Sequence, residues 1–123
     1  MTRRPDLNTS QRVVALIETK IGEQSLNSRD KIYELEQFSK SHFETLNFIQ
    51  PEFVICPLFT LTFDVIDIGK AMADIRLDAE LLIVSPPLPR PGMVLREIND
   101  ACPRIRVSFF DPVRWNNVGL LTA

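Results

Sequence analysis

The sequence is short of the side chains that most enzymes use for chemistry. It has one histidine, His42, and two cysteines, Cys56 and Cys102, with no CxxC spacing. A zinc site needs a cluster of such ligands, so none is expected. No GxGxxG, phosphate-binding GxxxxGK[ST] loop or GxSxG occurs, so nucleotide and hydrolase readings lack their minimum signal. No apolar run approaches the roughly 18 residues of a membrane span, and no charged-then-apolar leader opens the chain. The net charge of −2 and pI near 5.4 give no general attraction to nucleic acid. Two isolated cysteines in apolar surroundings read as buried thiols in a reducing cytoplasm.

What remains is an ordinary globular composition, 45% apolar and 24% charged, in 123 residues. That length suits one domain with a core of its own, needing no metal or disulfide. Residues 1–10 read as a polar lead-in and 11–123 as the domain. Arg12 to Ile17 is a short β-branched run suited to a buried strand, and Glu18 to Asp30 reads as a loop. Lys31 to Phe38 alternates, with Ile32, then Leu35 or Tyr33, then Phe38, as a half-exposed strand near an edge does. Ser39 or Ser41 can cap a helix whose apolar face is Phe43, Leu46 and Phe48 or Ile49, stopped by Pro51.

Beyond Pro51 the pattern is regular. Phe53 to Cys56 and Leu81 to Ser85 are continuous apolar runs, as in strands covered on both faces. Between them a helix capped by Thr62 or Asp64 runs to about Leu77, with Val65, Ile68, Met72 and Ile75 inward. Gly69 weakens it by about 1 kcal/mol relative to alanine, either to allow a close contact or by neutral accident. Pro86 to Pro91 connects to a helix over Gly92 to about Cys102, with Val94, Leu95, Ile98 and Ala101 or Cys102 inward. Ile105 to Phe110 is the last strand. The tail has room for one or two helical turns at most, and Leu120-Leu121 is expected to pack down as a cover. Strands alternating with helices predict a parallel α/β sheet with right-handed crossovers.

In such a sheet, ligands sit at the carboxyl ends of the strands. Those ends are Cys56-Pro57, Ser85-Pro86-Pro87 and Asp111-Pro112. Cys56 lacks the basic, glycine-rich loop of phosphate-handling cysteines. Ser85 and Asp111 could meet across neighbouring strand tips, but no histidine or lysine joins them into a relay. The segment Glu18 to Ser25, with Gly22 alone and two acids, makes a poor flavin-phosphate cradle. His42 reads as a solvated residue.

The stretch Tyr33 to Leu58, YELEQFSKSHFETLNFIQPEFVICPL, resembles the second strand, second helix and third strand of a response-regulator receiver domain. The resemblance covers about two thirds of the chain. It implies a flavodoxin-like, five-stranded, doubly wound sheet in the order 2-1-3-4-5, here with shortened first and last helices. It places Pro57 at the phosphate-accepting aspartate, Ser85 at the family's Ser/Thr, and Asp111-Pro112 at its Lys-Pro pair. Glu18 followed by Thr19 stands where receivers carry two magnesium-binding acids. Proline cannot accept a phosphoryl group, and lone carboxylates fall short of a magnesium site.

The resemblance therefore implies a degenerate bacterial pseudo-receiver: non-catalytic, independent of phosphorylation and without cofactor. Its work would be signalling through a protein partner or a homodimer. Pro87, Leu88, Pro89 and Arg90, with Phe110 and Trp115, are the candidate docking surface. The competing expectation is a small enzyme or ligand-binding domain using Cys56, Ser85 and Asp111.

Overall fold

Five short strands pair into one all-parallel sheet. The structure is a computed structural model and describes residues 12–19, 30–35, 40–58, 60 and 63–115, the side chains of 40–42 excepted. The strands are β1 (Val13–Ile17), β2 (Lys31–Leu35), β3 (Phe53–Pro57), β4 (Glu80–Val84) and β5 (Arg106–Phe109). Their order is β2-β1-β3-β4-β5, as the resemblance implies. β2 and β5 are the edges, and the half-exposed pattern of β2 is the signature of that position. The helices are α1 (Lys40–Ile49), α2 (Val65–Asp74) and α3 (Pro91–Ala101), all short.

Parallel register puts side chains in rows, and alternate rows face opposite ways. Ala15, Val54 and Leu81 form one row, continued by Ile17, Cys56 and Ile83 on the same face. Phe43 and Leu46 of α1, Ile68 and Met72 of α2, and Ile98 of α3 pack there. Right-handed crossovers explain why all three helices share that face. The chain advances in one direction across the sheet through α1, α2 and α3. No helix lies between β1 and β2 among the described residues.

The second face carries Val14, Leu16, Ile55 and Leu82, with Phe53, Val84 and Phe110 at its margin. Trp115 is the described residue that packs onto it from outside the sheet. It ends a single helical turn over residues 112–115, started by Asp111, whose Oδ1 accepts from the backbone N–H of Val113 at 3.0 Å and of Arg114 at 3.4 Å.

Several boundaries are now physical. Asp64 caps α2 through a reciprocal box: its carboxylate accepts from Asp67 N–H at 3.1 Å, and Asp67 Oδ2 accepts from Asp64 N–H at 3.0 Å. Thr62, the other candidate, lies outside the described residues. α2 ends three residues before the expected Leu77 because Arg76 turns to φ 55° and Leu77 N–H closes onto Met72 O at 3.0 Å. Of the alternatives on α1, Phe48 is 90% exposed and Ile49 is the half-buried one. On α3 Ala101 is exposed and Cys102 is buried. Phe38, Ser39, the Ser41 side chain and Leu120-Leu121 lie outside the described residues, as does the 1–10 lead-in.

Gly69 marks a close contact. A Cβ there would lie 2.8 Å from Cys102 Sγ and 3.4 Å from Cys102 Cβ. Gly69→Ala should therefore cost about 1 to 2 kcal/mol by overpacking, against the helix-propensity gain. In a Cys102→Ala background the sulfur is gone, and the same change should become neutral or stabilising. Urea unfolding of the four proteins in the cycle checks this; equal costs in both backgrounds would remove Cys102 as the cause.

Candidate functional site

Glu18, Pro57, Ser85 and Asp111 lie at the carboxyl ends of β1, β3, β4 and β5, so the topology brings all four to one edge of the sheet. What each can offer there is limited by local bonding. Glu18 adopts φ 48°, and its N–H donates to Leu35 O at 2.9 Å, tying the end of β1 to β2. Pro57 is half-buried and offers no side-chain oxygen. The Ser85 hydroxyl donates to the neighbouring Pro86 carbonyl at 2.8 Å. The Asp111 carboxylate starts the following helical turn. Ser85 and Asp111 thus satisfy themselves within their own loops and form no pair with each other.

Cys56 points into the helix-covered core, with no exposed surface. Burial pushes its thiol from 9.0 up to about 12. The thiolate, the form that reacts, is therefore scarce at neutral pH. Alkylation of the native protein should be slow, accelerate steeply with pH, and become fast only in denaturant. Fast labelling at neutral pH would show that the thiol is reachable. The same shift has a consequence for stability. The folded state holds this proton more tightly than the unfolded one, so the contribution is complete below pH 9 and is lost as pH rises toward 12.

Five of the expected docking residues line two adjoining depressions that share Leu88. Pro87 and Leu88 line a cleft of about 310 Å³ with Phe110, at the tips of β4 and β5. Leu88, Pro89 and Arg90 line a second depression with Met93 and Val94 of α3. Pro87, Pro89, Arg90 and Met93 are exposed. Trp115 belongs to neither and corrects the expectation: it is 5% exposed, inside the second-face core. Its ring packs edge-on against Phe53 at 4.8 Å between centroids and tilted against Phe110 at 5.8 Å. An indole so packed has no face free for a protein partner, and the little exposure that remains borders a cavity over β3, β4 and β5.

A polar cluster that the sequence reading missed holds Trp115 there. Its Nε1–H donates to Asp30 Oδ2 at 2.7 Å. Arg12 donates to both oxygens of Asp30, from Nε to Oδ1 at 2.9 Å and from a terminal nitrogen to Oδ2 at 3.3 Å. Its other terminal nitrogen donates to Trp115 O at 3.2 Å, and the guanidinium lies 3.8 Å above the indole ring. Asp30 is 2% exposed at its side chain and Arg12 15%. Three chain segments, before β1, before β2 and after β5, are thereby joined. No local pattern could have shown it, because the partners are 18, 85 and 103 positions apart.

Among the described residues no group of three or more His, Cys, Asp or Glu side chains is placed to hold a metal ion. The His42 side chain lies outside the described residues, as does the Gly22 segment considered as a flavin cradle. No helix among the described residues is long and apolar enough to cross a membrane. No protein-family model matches the chain, and no curated protein matches it.

Proposed function

We propose that this chain is a non-catalytic, receiver-like domain that works by presenting a fixed surface to a protein partner or to a second copy of itself, without phosphorylation. The observation that carries the reading is the carboxyl edge of the sheet. Pro57 stands where a receiver accepts phosphate, and the hydroxyl of Ser85 and carboxylate of Asp111 are spent on neighbouring backbone groups. An edge of that kind offers no activated nucleophile. Support for a fixed surface comes from the connection between β4 and α3, where Pro86, Pro87, Pro89 and Pro91 each lock one backbone angle. Exposed Pro87, Pro89, Arg90 and Met93 surround half-buried Leu88 there. A bacterial signalling role follows from the receiver resemblance, and a cytoplasmic setting is consistent with two unpaired thiols.

The test is incubation with acetyl phosphate, and separately with beryllofluoride, in the presence of magnesium. The expected result is an unchanged intact mass and no magnesium-dependent change in the fluorescence of the sole tryptophan. A phosphoryl adduct on any residue, or a magnesium-dependent structural change, overturns the reading.

A further inference from the structure

A cavity of about 240 Å³ opens on the second face of the sheet, over β3, β4 and β5. We propose that it binds a small zwitterion with an apolar side chain, of the class of free aromatic or branched-chain α-amino acids. This does not depend on the protein-interaction reading and concerns a different part of the molecule.

Phe53, Phe110 and Trp115 provide the apolar wall. That wall is pre-organised, because the bonds to Asp30 and Arg12 fix the indole before any ligand arrives. Pre-organisation removes part of the ordering cost of binding. Arg12 also lines the cavity, but its donors are committed to Asp30 and to Trp115 O, so it serves as structure. The groups left for a ligand carry opposite charges. Half-buried Glu80 accepts from the Ser108 hydroxyl at 3.0 Å through Oε2, which orients the carboxylate and leaves Oε1 without a donor among the described residues. The exposed Arg114 guanidinium has no carboxylate partner among the described residues. Asp111 beside it is occupied through Oδ1 by backbone N–H groups.

A purely anionic ligand would meet Glu80 and Asp111, and a purely cationic one would meet Arg114 and Arg12. A zwitterion answers both signs, with its ammonium at Glu80 and its carboxylate at Arg114. The volume lies below the roughly 300 Å³ at which pockets for drug-sized ligands begin. That favours a small metabolite over a nucleotide or flavin.

The chain's single tryptophan reports on the site directly. L-phenylalanine and L-leucine are titrated into the full chain with excitation of Trp115. The expected result is a saturable change with a Kd of about 1 mM or tighter for at least one of them. Phenethylamine lacks the carboxylate and 3-phenylpropionate lacks the amine, and each should bind about tenfold more weakly or worse. Glu80→Gln and Arg114→Gln should each weaken binding by about tenfold while leaving the melting temperature in place. Absence of saturable binding by both amino acids overturns the proposal. So does binding of both single-charge analogues as tight as that of the amino acids, or unchanged affinity in both variants. The analogue series stands even if a variant fails to fold. Phosphorylation in the acetyl phosphate test would leave this inference untouched, so the two readings fail separately.

Discussion

Trp115→Ala is expected to destabilise the protein by about 3 to 5 kcal/mol, the range for deleting a buried aromatic side chain. For a domain whose whole stability is about 5 to 15 kcal/mol, that is a large share. Three losses combine. The second-face core loses the ring that packs on Phe53 and Phe110, leaving a void beside Val14, Leu16 and Leu82. The Arg12 guanidinium loses the aromatic surface 3.8 Å beneath it. Asp30, 2% exposed, loses one donor. Trp115→Phe is the milder change, since it keeps a six-membered aromatic ring and removes the pyrrole part of the indole with its N–H. It should cost about 1.5 to 3 kcal/mol, the range for a hydrogen bond to a charged group. Thermal unfolding followed by circular dichroism measures both. A Trp115→Ala cost below about 1 kcal/mol would mean that the indole is a surface residue, and would return it to the docking patch.

Arg12→Met is the second large effect, expected at about 3 kcal/mol. Removing one member of a buried ion pair strands the other, and the stranded charge dominates the cost. Here the group left behind is the Asp30 carboxylate, which keeps the Trp115 indole bond at 2.7 Å among its partners. That retained donor places the expectation at the low end of the roughly 3 to 5 kcal/mol seen when such pairs are broken. The decisive comparison is the double variant Arg12→Met/Asp30→Asn. It removes the stranded charge and keeps an oxygen to accept from Trp115, so it should be more stable than Arg12→Met alone by more than about 1 kcal/mol. If it is less stable than the single variant, the Asp30 charge is not what makes the loss expensive. Salt should change the cost little, because a pair this buried is weakly screened.

Both effects arise on the face of the sheet that the three helices leave uncovered. This explains why the fold was more legible than its polar anchoring. Phe53 to Cys56 and Leu81 to Ser85 declare themselves as strands because a chain buried on both sides needs consecutive apolar residues. Pro51 and Pro91 declare helix boundaries because their rings forbid the alternatives. The scarcity of reactive side chains at the carboxyl edge was equally legible, since Pro57, Ser85 and Asp111 lie in the sequence at the ends of its strand-forming runs. How Ser85 and Asp111 are bonded was not, because it depends on the course of the loops that follow them.

Local pattern was enough for the alternation of strand and helix, the parallel sheet, and the poverty of chemistry at the strand tips. Each of these rests on sterics and periodicity acting over a few neighbouring residues. The burial of Trp115, the room Gly69 makes for Cys102, and the closure of Arg12 and Asp30 around the indole became visible in the folded chain alone. Those depend on contacts between segments up to 103 positions apart. Such contacts exist only after the sheet has chosen its order and each residue its face. Until then an arginine, an aspartate and a tryptophan in three loops look like any other surface residues.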